Sequence, residues 1–256
     1  MEDRVKKLEG VNNFRDFGGY DTQDGTHVKR GLLYRAGHFS QATDTDIDFI
    51  NSLSIQFQVD LRRLSERENE PNRWKPSEVH AAHDPERREA AHIEYLQRGY
   101  VTADESRAFM IDYYREAPFV EQHIDLYRRW FQRLDETGGG GLINCAAGKD
   151  RTGIGCALTL LALGVDEDTT IGDYELTNVA VDLDARLPEV RARMEDKLEL
   201  KLSDEAVRPF LGVHADYLHT AFQAMNEAHG SPMGYVRDVL GVDEDRLNSL
   251  KAKLLE

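Results

Sequence analysis

Cys145-Ala146-Ala147-Gly148-Lys149-Asp150-Arg151-Thr152-Gly153 is the stretch that most constrains how this chain folds. The apolar pair Leu142-Ile143 precedes it and a strongly helix-forming run, 154–163, follows it. That order demands a strand, a tight loop and a helix N-terminus. Several backbone N–H groups of such a loop can aim at one point, which makes an anion site. Cys145 then lies where a thiolate is stabilised by the helix dipole and by Lys149 and Arg151. Arg151 carries a planar fork suited to two phosphate oxygens at once. The stretch is not a Walker A loop, because no Ser or Thr follows Lys149. Nor is it a two-cysteine redox motif, since the other cysteine, Cys156, lies eleven residues on. A core cysteine beside a helix-capping loop would explain a bare Cys-x5-Arg spacing. It does not explain the agreement of Gly148, Thr152, Gly153 and the flanking strand and helix.

With these residues the chain resembles the cysteine-dependent protein tyrosine phosphatases. The Gly-Lys-Asp-Arg-Thr-Gly form is similar to their atypical bacterial and fungal branch, the mycobacterial phosphatase B-like group. Further segments carry the resemblance: Asn13-Phe14-Arg15-Asp16-Phe17-Gly18-Gly19-Tyr20, Leu33-Tyr34-Arg35-Ala36, Val59-Asp60-Leu61-Arg62 with Glu66 after it, and the C-terminal run from Tyr217 to Leu255. The resemblance thins between about residues 84 and 125. It implies an α/β fold with a central, mostly parallel sheet flanked by helices, and helical insertions that form a lid. The expected organisation is a single domain over residues 1–256, with a helical insertion at 84–134 and a lid or flap segment at 180–212.

Composition sets outer bounds. Formal net charge is −15, from 47 acidic and 32 basic residues. That disfavours nucleic acid and stable membrane association. No apolar stretch approaches a membrane span, and the charged start Met1-Glu2-Asp3-Arg4 has no signal-like core. Two cysteines suit a reducing compartment, so a cytoplasmic location is expected. Cys156, on the apolar run 154–163, is expected in the core.

Strand candidates are 27–29, 32–35, 57–61, 79–81 and 142–145. A short helix starts near Thr43 or Asp44. Thr102 with Glu105 forms a capping box for a helix that should stop before Pro118. Ile124, Tyr127, Trp130, Phe131 and Leu134 have helical spacing. Glycines 138–141 read as a flexible joint before the loop strand. Asp166 caps a helix through Tyr174. Pro188 fits the first turn of a helix carrying Val190, Met194 and Leu198 on one face. Leu218, Ala221, Phe222 and Met225 make another, ended by Gly230, and Asp243 starts the last. The charged stretches 86–122 and 191–204 are outer helices on their own terms; the resemblance makes one of them lid-like.

The chemistry these residues support is phosphomonoester hydrolysis in two steps, with no metal or other cofactor. Cys145 attacks phosphorus and forms a phosphocysteine. Arg151 and the N–H groups of Ala146, Ala147, Gly148 and Lys149 bind the phosphoryl oxygens. Thr152 hydrogen-bonds the sulfur and eases its departure. The leaving oxygen needs a general acid. The resemblance points to Asp150; Asp84, in His83-Asp84-Pro85, is the second candidate. Lys149 reads as a second cation for the substrate. Arg15 and Asp16 either shape the floor of the site or belong to a turn built on Asp16, Gly18 and Gly19. Asp60 and Arg62 read as a structural polar network at a strand end. The family carries His immediately before the nucleophile, where this chain has Asn144; Asn donates hydrogen bonds but carries no proton charge. The expected substrate is a phosphorylated protein or peptide, with phosphotyrosine foremost and phosphoserine or phosphothreonine beside it. The alternatives are a phosphoinositide or small soluble phosphate, and a phosphate-binding module without activity.

Overall fold

The computed structural model describes residues 4–80, 95 and 102–256. Among the described residues, five strands form one sheet: β1 (Arg15–Asp16), β2 (Leu33–Ala36), β3 (Phe57–Asp60), β4 (Ser77–His80) and β5 (Gly141–Asn144). Their order is β1-β2-β5-β3-β4. Only β1 pairs antiparallel; β2, β5, β3 and β4 run parallel. The expected α/β class with a mostly parallel sheet is therefore the observed one. The loop strand β5 lies in the middle, and every residue of β2, β3 and β5 is buried. Parallel strands covered on both faces read as such near-continuous apolar runs.

Side chains alternate across the sheet and feed two cores. Val59 and Ile143 join the larger one. It contains Leu126, Tyr127, Trp130, Phe131 and Leu134 of α4 (Glu121–Thr137) and most of α5 (Asp150–Leu163). Leu142, Tyr34 and Ala36 join the smaller one with Phe14, Phe39, Trp74 and Ile50 of α1 (Asp44–Asn51). The buried positions of α4 recur at helical spacing, and each large apolar side chain fully buried contributes roughly 1.5–3 kcal/mol. Cys156 is in the larger core, as expected.

Local capping chemistry sets several boundaries. Thr43 and Asp46 form a reciprocal capping box at α1. Thr102 and Glu105 do so for α3 (Ala103–Glu116), which gives way to a short 3₁₀ turn holding Pro118. Asp166 caps α6 (Glu167–Ala180). Gly230 ends α9 (Ala215–His229) in the left-handed conformation, and Asp243 caps α11 (Glu244–Leu254).

Three expectations need correction. Residues 27–29 are extended but lie outside the sheet, bonded to Tyr20 and to the chain end at Leu254 and Glu256. The glycine run is no flexible joint: Gly139, Gly140 and Gly141 are buried, Gln56 donates to the Gly140 carbonyl, and Gly141 donates to Leu32. Pro188 is not in a first turn. It lies inside α7 (Leu183–Leu198), which begins earlier because Leu183 packs against Gly212 and Leu187 is buried. Three further helices carry no clear sequence signal: α2 (Leu64–Asn69), α8 (Asp204–Leu211) and α10 (Pro232–Asp238). Each is short, and α8 carries an internal proline, so apolar periodicity had too few turns to register.

Candidate active site

The loop 145–149 joins the C-terminal end of β5 to the start of α5, the end of a parallel sheet where ligands gather. Its shape is imposed from outside. The Ala146 carbonyl accepts from His38 N–H at 3.1 Å. The Gly148 carbonyl accepts from Asn13 Nδ2 at 2.6 Å and from Arg35 Nη2 at 2.8 Å, and Asn13 Nδ2 also reaches the Ala147 carbonyl at 3.4 Å. Gly148 sits at φ +66, and a Cβ there would come 2.3 Å from the Ala36 carbonyl oxygen, so no other residue fits. The carbonyls are thus tied back. Among the described residues, no acceptor takes the N–H groups of Ala146, Ala147, Gly148 or Lys149. Such an array of unpaired amides next to a helix N-terminus is an anion cradle.

The floor under the loop is charged. Arg15 and Arg35 are fully buried and share Asp173 at 3.4 and 3.3 Å. Burial and the neighbouring Arg35 bring the Arg15 pKa down to about 10. Arg15 thus belongs to the floor, while Asp16 accepts from Gly18 and Gly31 N–H and makes the turn. Two buried guanidiniums against one carboxylate leave a positive excess beneath the cradle.

Arg151 is gripped by Glu66 of α2 through two hydrogen bonds, of 2.7 and 2.8 Å, and donates to the Leu61 carbonyl at 3.1 Å. Burial disfavours the Glu66 carboxylate, but Arg151 and then Arg63 outweigh it and hold its pKa far below the usual range. Burial likewise opposes the Arg151 charge, and Glu66 raises its pKa well above the ordinary value. Cys145 is buried and is a free thiol, as is Cys156. Burial pushes the Cys156 thiol up to about 12 against the opposing field of Arg35.

Asp150 opens α5 and accepts from Tyr114 Oη at 2.7 Å. Lys149 is buried; its Nζ donates to the carbonyls of Phe210 and Gly212 at 2.6 and 3.0 Å and lies 3.4 Å from Asp150 Oδ1. Its ammonium is engaged by the α8 end rather than presented as an unattached cation. The Thr152 hydroxyl is buried and, among the described residues, has no hydrogen-bond partner, the Cys145 sulfur included. Asn144 is buried, accepts from Gln58 Nε2 at 2.8 Å and donates to Asp60 Oδ1 at 3.2 Å. Asp60 also takes Arg62 bidentately and Asn72, which is the structural network expected of it. Asp84 and His83 lie outside the described residues.

Sequence reasoning gave Asn13, Arg35, Glu66 and Tyr114 no part in the site. The available signal was a charged residue inside an otherwise apolar strand, Arg35 between Tyr34 and Ala36. A buried guanidinium must find partners, so it marks a polar centre beneath it.

The model of the family described as "Tyrosine phosphatase family" matches residues 6–256. The chain is 30% identical over 246 residues to a Cupriavidus necator protein named as a candidate tyrosine-protein phosphatase, covering 94% of this chain and 85% of that one. It is 29% identical over 285 residues to the triple specificity protein phosphatase PtpB of Mycobacterium tuberculosis, covering 98% of this chain and 99% of the relative. A tyrosine-protein phosphatase of Nostoc commune is 25% identical, with 90% and 76% covered.

Proposed function

Because this chain belongs to the tyrosine phosphatase family, we propose that it hydrolyses phosphomonoesters through a phosphocysteine formed on Cys145. The observation that carries this reading is the loop whose carbonyls are tied back by His38, Asn13 and Arg35 while its amides stay unpaired beside Cys145 and Arg151. The N–H groups of Ala146, Ala147, Gly148 and Lys149 and the Arg151 fork take the equatorial phosphoryl oxygens. Preorganised donors of this kind act where negative charge develops. Glu66 holds the fork in register before substrate arrives. The S–P bond forms as the P–O bond breaks, and Asp150 protonates the leaving oxygen. Water then attacks the phosphocysteine, with Asp150 as base and the thiolate as leaving group. Thr152, whose buried hydroxyl has no partner among the described residues, turns to donate to the departing sulfur. This scheme asks nothing of a metal, since the guanidinium and the amides supply the positive field.

The substrates we assign are phosphotyrosine proteins or peptides first, then phosphoserine and phosphothreonine, in line with the triple specificity named for the mycobacterial relative. A phosphoinositide or small soluble phosphate is the alternative source of the same phosphoryl group. Residues 1–256 act as one domain, and 180–212 act as the lid. The support for a lid is the Lys149 ammonium held by the carbonyls of Phe210 and Gly212, which joins that segment to the loop.

Turnover of p-nitrophenyl phosphate in chelator, followed by a panel of phosphopeptides and phosphoinositides, tests the reading. Cys145→Ser is expected to abolish turnover while keeping the melting transition and vanadate binding. Near wild-type turnover in that variant would remove the covalent route. Wild-type protein that binds vanadate without turning over would make the chain a phosphate-binding module.

A further inference from the structure

Two tyrosine hydroxyls are buried in series behind Asp150. Tyr114 comes from α3 and Tyr174 from α6, and both are buried. Tyr174 Oη donates to Tyr114 Oη at 2.7 Å, and Tyr114 Oη donates to Asp150 Oδ1 at 2.7 Å. The order of donation follows from the chemistry: Oδ1 also faces the Lys149 ammonium, which can only donate, so Oδ1 accepts, the Tyr114 proton is committed to Asp150 and the Tyr114 oxygen accepts from Tyr174. Burial first, and the nearby Asp150 next, raise the pKa of both phenols well above 10, so both keep their protons.

The arrangement is held by packing. The Tyr114 and Tyr174 ring centroids lie 6.2 Å apart at 71°, and Tyr217 lies 5.5 Å from Tyr114 on another side. A Cβ on Gly153 would come within 2.8 Å of the Tyr174 ring, so this glycine lets the ring reach the start of α5. Lys149 Nζ approaches the same carboxylate oxygen, Oδ1, at 3.4 Å. Among the described residues no donor reaches Oδ2. The side chain is 23% exposed. One oxygen is therefore saturated from behind and the other is unengaged.

We propose that Tyr114, backed by Tyr174, is a positioning residue that pins Asp150 Oδ1 as an acceptor, so that Oδ2 carries the transferable proton. This rests on the reading of Asp150 as general acid. In the first step the electron pair of the breaking P–O bond takes the Oδ2 proton. Asp150 becomes a carboxylate, and the Tyr114 bond strengthens as Oδ1 gains charge. Tyr114 keeps its own proton throughout. An interaction that is stronger after proton transfer lowers the barrier to it. The titratable groups facing Asp150 are Lys149 of the loop, Tyr113 and Tyr114 of α3, Tyr174 of α6 and Tyr217 of α9.

The experiment compares wild type, Tyr114→Phe, Tyr174→Phe, Asp150→Asn and Tyr114→Phe/Asp150→Asn. Each is assayed for kcat/KM against pH with p-nitrophenyl phosphate and with a phosphoserine peptide. Nitrophenolate leaves almost unaided, whereas the serine alkoxide needs the proton. Tyr114→Phe keeps the ring and is expected to lose roughly tenfold more on the phosphoserine peptide than on p-nitrophenyl phosphate, the size of one lost charged hydrogen bond. Its alkaline limb is expected to move to higher pH, because removing a donor to a carboxylate favours the protonated form. Tyr174→Phe should move both in the same direction by less, and it carries the test if Tyr114→Phe shows no cooperative melt. In the Asp150→Asn background Tyr114→Phe should add no further discrimination between the substrates. Equal losses on both substrates, or an unmoved alkaline limb, overturn the positioning role while Asp150→Asn still discriminates. If Asp150→Asn itself fails to discriminate, the acid assignment falls, and the positioning proposal falls with it.

Discussion

Replacing Glu66 with Gln tests how the Arg151 guanidinium is held. Glu66→Gln conserves size but removes the charge, and one carbonyl oxygen must serve where two carboxylate oxygens served. The bonds lost or weakened are those of 2.7 and 2.8 Å to Arg151, between side chains only 12% and 20% exposed. A hydrogen bond to a charged group is worth about 1.5–3 kcal/mol net, and stripping one partner from a buried pair costs about 3–5 kcal/mol. Gln keeps one acceptor, so a loss of about 3 kcal/mol is expected, read as a drop of roughly 6–12 °C in Tm for a domain of this size. The fork is then steered mainly by the Leu61 carbonyl, and displacement of a reacting group by ~1 Å costs on the order of 10²-fold in rate. The pH dependence has a definite sign. The folded Glu66 pKa lies below its unfolded value of about 4.3, so its contribution is fully present above that value and is lost as pH falls through the depressed folded one. The stability gap between wild type and variant should therefore hold steady from neutral pH down to about 5 and close only in stronger acid. Thermal melts at several pH values and kcat/KM for p-nitrophenyl phosphate measure both effects. A gap under ~0.5 kcal/mol at pH 7, a gap that widens in acid, or an unchanged kcat/KM would refute the reasoning.

Two further outcomes are expected. Asn144→Ala should cost about 1–3 kcal/mol in urea denaturation, because it strands the buried Gln58 amide and removes a donor from Asp60; a loss under ~0.5 kcal/mol would show that the network closes without it. Cys156, a buried thiol raised to about 12, should stay unmodified by iodoacetamide at pH 8 until urea unfolds the chain, as followed by intact mass; labelling of Cys156 in the folded protein would contradict its burial.

Much of the site was legible because its chemistry is local. Cys145, Gly148, Asp150 and Arg151 fall within one short stretch, and the strand–loop–helix around them is specified by neighbouring apolar residues. Capping signals at Thr43, Thr102, Asp166 and Asp243 work over three or four residues and so survive in the sequence. Lys149 illustrates the opposite case. A lysine in a phosphate loop looks like a cation for the substrate, and only the fold brings the Phe210 and Gly212 carbonyls to its ammonium.

The sequence alone therefore determined the strand–loop–helix around Cys145 and Arg151 and the α/β class. The tertiary structure decided what holds them. Asn13 and Arg35 reach the Gly148 carbonyl across separations of 135 and 113 residues, Glu66 reaches Arg151 across 85, and Tyr114 reaches Asp150 across 36. Spacing along a chain reports only on neighbours within a turn or two. A buried guanidinium or phenol is satisfied by whatever the sheet order and helix packing bring against it, and that is settled only when the whole core closes.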